Sequence, residues 1–304
     1  MKILCLSDLH RSATKKSNRW QDKEIAKLLD TLKPELIVCS GDIHESNVLS
    51  PYKDLAELFQ GIPAVCTLGN HEFYNRTYEE TIGFYIRKYQ PDKYHVHYLD
   101  IVGRVEFGDM VFFGNALFFD GSLLKHNPGQ KVEDFADGTW SDKLIKGFGK
   151  DWKTYHELCA LKIKNEYAGY TAKMTKSERQ KKELVLVTHH VPCAELNVWP
   201  FQHNPYTVYS GCENFLKGFD FDWVICGHTH NRTVGQNVSG KKNCFSGGIN
   251  VGSDYGILQH YLLQSTPLSY VSIEDTDDFL FVPSYLSTDT GEWVEIKVNR
   301  NHAN

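Results

Sequence analysis

The chain has 304 residues, of which 41% are hydrophobic and 23% are charged, a composition typical of a folded globular protein. This composition excludes a disordered or fibrous chain, and the length fits one large domain or two modest ones. A net charge of -5 argues against non-specific nucleic-acid binding. No stretch is apolar for long enough to cross a membrane, and Asp8 interrupts the apolar N-terminal residues, so we expect a buried first strand there.

Strand and helix signals alternate through the N-terminal third of the chain. Strands are predicted at residues 2–7, 35–40 and 64–68. One helix is predicted to end at Pro34, and a second to begin at Pro51 with Ser50 as its N-cap. A third helix opens with a capping box formed by Thr77 and Glu80. This β-α-β-α-β order predicts a sheet of parallel strands with helices packed on it.

The pattern changes after residue 94. A hairpin is predicted around Gly108, and further buried strands at 184–188 and 223–226. The region from about 121 to 182 contains one helical stretch and a basic run, and we interpret it as a helical insertion or cap on a single domain of residues 1–304. The tail beyond residue 259 alternates β-rich runs with turns and is expected to complete a second sheet.

Polar side chains follow five separate apolar runs that have the character of buried strands. The residues that end these runs are Asp8 and His10, Asp42, Asn70 and His71, His189 and His190, and His228 and His230. In an open α/β sheet, ligands bind beyond the carboxyl ends of the strands. Five strand ends with the same arrangement therefore predict one rim on which all these groups meet.

The residue types on this rim indicate a site for two metal ions. Carboxylate and imidazole suit divalent transition metals such as manganese, iron, zinc and cobalt. Asp42 has two oxygens and is the candidate bridge. The remaining ligands divide into Asp8, His10 and His230 for one ion, and Asn70, His189 and His228 for the other. Two divalent ions with two carboxylates and a bridging hydroxide retain positive charge, which favours a phosphate substrate.

These blocks resemble those of the calcineurin-like metallophosphoesterases. The matching blocks are Ser7-Asp8-Leu9-His10, Gly41-Asp42, Gly69-Asn70-His71-Glu72, Thr188-His189-His190 and Gly227-His228-Thr229-His230. The resemblance implies a sandwich of two mixed β-sheets flanked by helices, with a dinuclear metal site at the carboxyl edge of the strands. It also implies that His71 is not a ligand but a catalytic residue beside the leaving group, where it donates a proton or stabilises charge.

The resemblance further implies a hydrolase of phosphate esters that uses a hydroxide bridging two metals. Relatives that dephosphorylate proteins carry Gly-Asp-x-x-Asp-Arg-Gly at the second block, whereas residues 41–46 read GDIHES and lack the arginine. We therefore expect a small phosphorylated molecule or a nucleotide, cleaved as a diester or a monoester. The alternatives are a DNA or RNA nuclease, which would need a long basic groove, and a non-catalytic scaffold, which would typically have lost ligands or the acid.

Three residues beside the predicted site are weaker candidates for substrate contacts. His44 and Arg232 adjoin the metal-binding blocks, and surface placement is the competing interpretation for both. His190 follows a predicted ligand and has a packing role as its alternative.

The eight cysteines indicate the redox environment. They form no CxxC pair, their spacing is irregular, and four of them lie inside apolar runs. Free cysteine is among the most buried residue types, so these are predicted to be core thiols. We therefore expect a reducing cytoplasmic location.

Overall fold

The computed structural model describes residues 1, 3–13, 18–126, 141–197, 208–230, 233–235, 247–250, 270–274, 280–286 and 293–295. The thirteen strands in this part of the chain are β1 (Ile3–Leu6), β2 (Leu36–Ser40), β3 (Ala64–Thr67), β4 (Val96–Tyr98), β5 (Arg104–Phe107), β6 (Met110–Asn115), β7 (Glu183–Thr188), β8 (Trp223–Cys226), β9 (Thr233–Gly235), β10 (Gly247–Asn250), β11 (Tyr270–Glu274), β12 (Leu280–Leu286) and β13 (Trp293–Glu295). The helices of the same residues are α1 (Asn18–Leu32), α2 (Pro51–Leu58), α3 (Asn70–Phe73), α4 (Tyr78–Lys88), α5 (Pro91–Tyr94), α6 (Leu99–Val102), α7 (Phe148–Thr171) and α8 (Lys176–Lys181).

The first sheet has the order β13-β12-β11-β1-β2-β3-β4. Strands β1 to β4 are parallel, as the alternation of strands and helices predicts. The tail strands were expected in a second sheet, and this expectation is wrong, because β11 pairs antiparallel with β1 and extends the first sheet. Alternating β-rich runs predict strands without specifying the edge on which they pair, and the edge of β1 was open.

The second sheet has the order β5-β6-β7-β8-β10-β9. Strands β5 and β6 form the predicted hairpin, with Phe107 opposite Met110 across the turn at Gly108. Strands β6, β7, β8 and β10 are parallel to one another. The carboxyl ends of these parallel strands and of the first sheet's parallel strands supply the loops of the candidate site.

The core lies in three layers because alternate residues of each strand face opposite sides of its sheet. Ile3 and Val38 pack against Phe112 and Val187 between the two sheets. The opposite faces pack on helices, and all of these strand residues are buried. On the second sheet the outer layer is α7, where Ile163 belongs to the same apolar cluster as residues of β6 and β7. Helix α7, which lies within the sequence segment 121–182, thus contributes a layer of the sandwich.

Local signals predicted the starts of two helices, although the Ser50 side chain makes no cap hydrogen bond to α2. The capping box of Thr77 and Glu80 opens α4, with the Thr77 hydroxyl accepting from the Glu80 N–H at 3.2 Å and the Glu80 carboxylate accepting from the Thr77 N–H at 2.9 Å. The basic run ends in α8, which has no buried residues and is a solvated helix. Within the described ranges, every helix is too short or too polar to span a bilayer.

Candidate metal centre

The side chains that follow β1, β2, β3, β7 and β8 meet at one edge of the sandwich. Two of these strand ends belong to the second sheet and three to the first, so the rim predicted from a single sheet is formed jointly by both. The predicted ligands on it are buried, except that the His230 side chain retains 21% exposure. A buried set of carboxylates and imidazoles is costly unless its charges and lone pairs are matched.

Five of the seven predicted ligands have a left-handed backbone conformation. These residues, with φ between 47° and 69°, are Asp8, His10, Asp42, His228 and His230. Left-handed φ is uncommon for residues other than glycine, and such strain concentrates at functional sites. The chain thus turns sharply just after three strands and directs the ligand side chains into one space.

Two glycines leave room for this turn. A Cβ at Gly69 would collide with the side chain and backbone of Asp42, and a Cβ at Gly227 would collide with the Ser7 hydroxyl and lie 2.7 Å from Asp8 Oδ2. A real side chain at either position would push a ligand carboxylate aside. The glycines that precede the third and the fifth cluster are therefore required by the close approach of neighbouring loops.

The first ligand group consists of Asp8, His10 and His230. The Nε2 atoms of His10 and His230 are 3.2 Å apart, and Asp8 Oδ1 lies 3.4 Å from His230 Nε2. Asp42 Oδ2 is 4.0 Å from His10 Nε2, at the margin of this group.

The second ligand group consists of Asn70, His189 and His228. His189 Nε2 lies 3.0 Å from Asn70 Oδ1 and 3.2 Å from His228 Nδ1. Asp42 Oδ2 is 3.3 Å from the same nitrogen. The same Asp42 oxygen therefore faces both groups, which is the arrangement expected of a bridging ligand.

The hydrogen bonds around the second group determine which ring nitrogens carry protons. His189 Nδ1 donates to the Ser40 carbonyl at 2.9 Å, and His228 Nε2 donates to the Tyr209 carbonyl at 3.0 Å. In the neutral rings, the inward-facing nitrogens then present lone pairs to each other and to the Asn70 oxygen. Converging acceptors in a buried space repel one another unless a cation lies between them, so this donor set fits a divalent metal.

The electrostatics of Asp42 lead to the same conclusion. Burial alone would raise the pKa of Asp42, but the neighbouring His189 and His71 outweigh it and hold the pKa well below its ordinary value. Burial likewise works to lower the pKa of His189, and the Asp42 carboxylate overcomes it and raises that pKa to about 10. A positive charge is thus strongly favoured next to the Asp42 carboxylate.

His71 lies beside both ligand groups, and one of its ring nitrogens already contacts a carboxylate. Its Nδ1 is 3.2 Å from both carboxylate oxygens of Glu45, and its Nε2 is 3.8 Å from Asp42 Oδ2. Burial lowers the pKa of His71, but the Asp42 and Glu45 carboxylates outweigh burial and raise it above its ordinary value. The geometry leaves Nε2 directed toward the centre, where a reacting group would lie.

A family comparison agrees with this geometry. The family model of the calcineurin-like phosphoesterases matches residues 1–232, which include all five blocks. The chain belongs to the calcineurin-like phosphoesterase family. It is therefore a metal-dependent phosphoesterase that uses two divalent ions, as the sequence predicts. No curated protein matches the sequence significantly.

Solved structures of similar fold include enzymes and a protein described as an anchor. A phosphopantetheinyl hydrolase from Mycobacterium tuberculosis aligns with a TM-score of 0.58 at 13% identity, over 86% of this chain and 92% of that one. A dimetal phosphatase from Danio rerio aligns with a TM-score of 0.51 at 12% identity, over 98% of each chain. GAP50 of Plasmodium, described as the anchor in the inner membrane complex, aligns with a TM-score of 0.50 at 14% identity, over 98% of this chain and 88% of that one. At these identities the likeness establishes the two-sheet fold alone.

The three weaker candidates for substrate contacts have different surroundings. His44 is fully buried, and its ring contacts Asp54 Oδ2 at 3.0 Å and the Tyr98 hydroxyl at 3.4 Å. Its side chain is therefore not accessible to a substrate. His190 is also fully buried, donates from Nδ1 to the Ala116 carbonyl at 3.0 Å, and packs 4.1 Å from the ring of His228. Arg232 lies outside the described residues.

Two acidic residues that were not among the predicted site residues, Glu45 and Glu72, contact residues of the metal-binding blocks. Glu45 contacts His71 and also lies 3.7 Å from His10 Nδ1, and these histidines outweigh burial and lower the pKa of Glu45 to about 2. Glu72 accepts from the His44 and Gly69 N–H groups at 2.7 Å each, which ties the second block to the third. Glu45 stands at the position of the second aspartate in the Gly-Asp-x-x-Asp pattern, and that spacing was the available signal.

Proposed function

We propose that this phosphoesterase hydrolyses a small phosphorylated molecule or a nucleotide, as a phosphodiesterase or a phosphatase. The observation that carries the proposal is the shared Asp42 oxygen between two converging ligand groups, with His71 Nε2 at their rim. Bound divalent ions supply Lewis-acid polarisation of phosphate oxygens and lower the pKa of water. The chain's own residues hold those ions, orient the phosphate and manage the proton of the leaving group.

The proposed ligands are Asp8, His10, Asp42 and His230 for one ion, and Asp42, Asn70, His189 and His228 for the other. The neutral Asn70 leaves the centre more positive than a carboxylate there would. Arg11 follows His10 in the chain, but its guanidinium is paired with Asp54 at 2.6 Å and Asp22 at 2.8 Å. This pairing supports a site in which the metal ions, and not this arginine, balance the phosphate charge.

His71 is the proposed general acid. Its Nδ1 contact with Glu45 holds the ring so that Nε2 faces the rim of the centre, and a donor there can protonate the departing oxygen. His71→Ala and His71→Asn should retain both metals and lose about 100- to 10,000-fold in turnover. Loss of metal from these variants would overturn the assignment of His71 as a non-ligand.

Parallel assays with bis-p-nitrophenyl phosphate and p-nitrophenyl phosphate, with manganese added, separate the two reaction types. A preference for the diester that disappears in His71→Ala supports a phosphodiesterase, and a preference for the monoester supports a phosphatase. Cleavage of neither ester by protein with both metals bound would count against the proposal.

A scaffold is the second candidate because one relative of the same fold is described as an anchor. The complete set of proposed ligands and the part-buried Glu45–His71 contact count against a chain that has lost its chemistry. A nuclease has less support, since the net charge is -5 and Arg11 is already paired. Salt-sensitive binding to DNA or RNA, followed by its cleavage, would favour the nuclease.

A cytoplasmic location is proposed from the cysteines. Seven cysteines in the described ranges are free and buried. Free core thiols persist in a reducing compartment.

A further inference from the structure

The amide of Asn70 is held by side chains that lie outside the family's metal-binding blocks. Asn70 Nδ2 donates to Asp142 Oδ1 at 2.8 Å and to the Tyr74 hydroxyl at 2.9 Å. The Tyr74 hydroxyl in turn donates to Asp142 Oδ1 at 3.3 Å. These contacts use the NH₂ end of the amide, while the oxygen end faces His189 Nε2 at 3.0 Å.

Asp142 Oδ1 fixes the direction of this amide because it accepts from both the Asn70 NH₂ group and the Tyr74 hydroxyl. The Asn70 NH₂ group must therefore face Asp142, and its oxygen must face the metal centre. A rotation of the amide by half a turn would place two acceptors against each other on the Asp142 side. It would also direct N–H groups at the imidazole lone pairs that are proposed to bind metal.

Burial makes this interaction hard to replace. Asp142 is 1% exposed, Asn70 4% and Tyr74 6%. Water has little access to these groups, so an Asn70 amide that lost the Asp142 oxygen would lack an equivalent partner.

Asp142 belongs to the segment 121–182, and backbone bonds fasten its turn beside Asn70. The Asn75 N–H donates to the Leu144 carbonyl at 2.8 Å, and the Lys146 N–H donates to the Arg76 carbonyl at 3.0 Å. These bonds join the turn at 141–144 to the chain that directly follows α3. The position of Asp142 is therefore set by two backbone bonds as well as by its side chain.

We propose that Asp142 is a positioning residue that aligns the Asn70 oxygen for the second metal ion. Through it, the segment 121–182 becomes part of the metal centre in addition to packing on the second sheet. This inference rests on the proposed function, because it requires that Asn70 be a metal ligand.

The test is metal binding by the full-length, metal-free protein. Manganese is titrated calorimetrically into the wild type, Asp142→Ala, Asp142→Asn and Asn70→Ala, and metal content is measured after gel filtration. Asp142→Ala should bind one of the two ions about 10- to 100-fold more weakly and leave the other unchanged. Asp142→Asn should recover most of the affinity because its amide oxygen can still accept from Asn70.

The matched control is Glu157→Ala, which removes an exposed carboxylate from the same segment. It should bind both ions as the wild type does. If Asp142→Ala does not fold, Asp142→Ser takes its place, since its hydroxyl is too short to reach Asn70 and the same loss is expected.

Asn70→Ala tests the assignment of Asn70 as a metal ligand separately from the positioning role of Asp142. If Asn70→Ala retains both ions at full affinity, Asn70 is not a ligand and the proposed metal assignment fails. If Asn70→Ala loses one ion while Asp142→Ala binds both normally, the ligand assignment stands and the positioning role is overturned. A lower melting temperature of metal-free Asp142→Ala with unchanged metal affinity would mark Asp142 as a packing residue only.

Discussion

Glu45 connects the metal ligands to the proposed acid. Its carboxylate lies 3.2 Å from His71 Nδ1, within hydrogen-bond distance, and 3.7 Å from Nδ1 of the predicted ligand His10. Partners of metal-bound histidines fix the ring and its tautomer. The residue was not among the predicted site residues, because its role depends on which rings its carboxylate reaches in the folded loop.

Glu45→Gln should lower turnover by about 10- to 100-fold, because a neutral amide holds both rings less firmly. The measurement is steady-state hydrolysis of a chromogenic ester together with metal content. Glu57→Gln, which neutralises an exposed carboxylate on α2, is the control and should behave as the wild type. Equal turnover in the two variants would refute the role of Glu45.

Gly227 leaves no room for a side chain, because its Cβ would collide with Ser7 and crowd Asp8. Gly227→Ala should displace the Asp8 carboxylate and reduce metal content while circular dichroism still shows a folded protein. Gly169→Ala is the matched control, since Gly169 lies in α7 with open space around it. The control should be stabilised by about 1 kcal/mol. Full metal content in Gly227→Ala would show that the loop can move aside.

At the scale of elements, Asp100 joins the ends of β3 and β6. Its Oδ2 accepts from the Leu68 N–H at 2.7 Å, and its Oδ1 accepts from the Ala116 N–H at 2.9 Å. Leu68 leads into the third metal-binding block, and Ala116 follows the second sheet's strand beside β7. The carboxylate is 2% exposed and holds the two sheets together next to the site.

Asp100→Asn should destabilise the fold by about 1–3 kcal/mol, because one of the two N–H groups would face an amide NH₂ instead of an oxygen. The free energy of unfolding in urea measures this effect on the metal-free protein. Asp109→Asn, at the exposed hairpin turn, is the control and should change stability little. Similar unfolding free energies for both variants would show that the two hydrogen bonds of Asp100 do not stabilise the fold.

The sequence predicted the strands that end at the site better than it predicted which strands pair and which side chains contact one another. Short apolar runs ending in Asp8, Asp42, Asn70, His189 and His228 are local patterns, and all of them became strands with the predicted ligands at their carboxyl ends. Pairing across long separations is not local. This explains why the contact between Asn70 and Asp142 was not predicted and why the tail joined β1 instead of the second sheet. The left-handed backbone at these Asp and His positions was not predicted, although Asp and His adopt it more often than most residues do.

At the scale of the whole molecule, the metal centre lies where both sheets end, so metal binding and folding stability should be linked. Metal-free protein keeps the Asp8 and Asp42 carboxylates buried, and bound ions would offset the cost of that burial. A ligand at 100 times its dissociation constant stabilises the native state by about 2.7 kcal/mol. The melting temperature should therefore rise with manganese concentration, and chelation should reverse it.

Asp42→Asn is the control for this linkage, because Asp42 Oδ2 faces both ligand groups and its loss should impair both ions. Its melting temperature should respond weakly to manganese. A wild-type melting temperature that does not change with manganese concentration would mean that the ligand groups do not bind the metal tightly in the native state.

The central claim is that two ions held at the junction of the sheets carry out phosphoester hydrolysis. The most direct measurement is to add manganese stepwise to chelator-treated protein and record hydrolysis of bis-p-nitrophenyl phosphate and p-nitrophenyl phosphate against bound metal per chain. We predict that activity on at least one ester appears as the second equivalent binds and that Asp42→Asn stays inactive. Full hydrolysis by metal-free protein, or two bound ions without hydrolysis of either ester, would contradict the account.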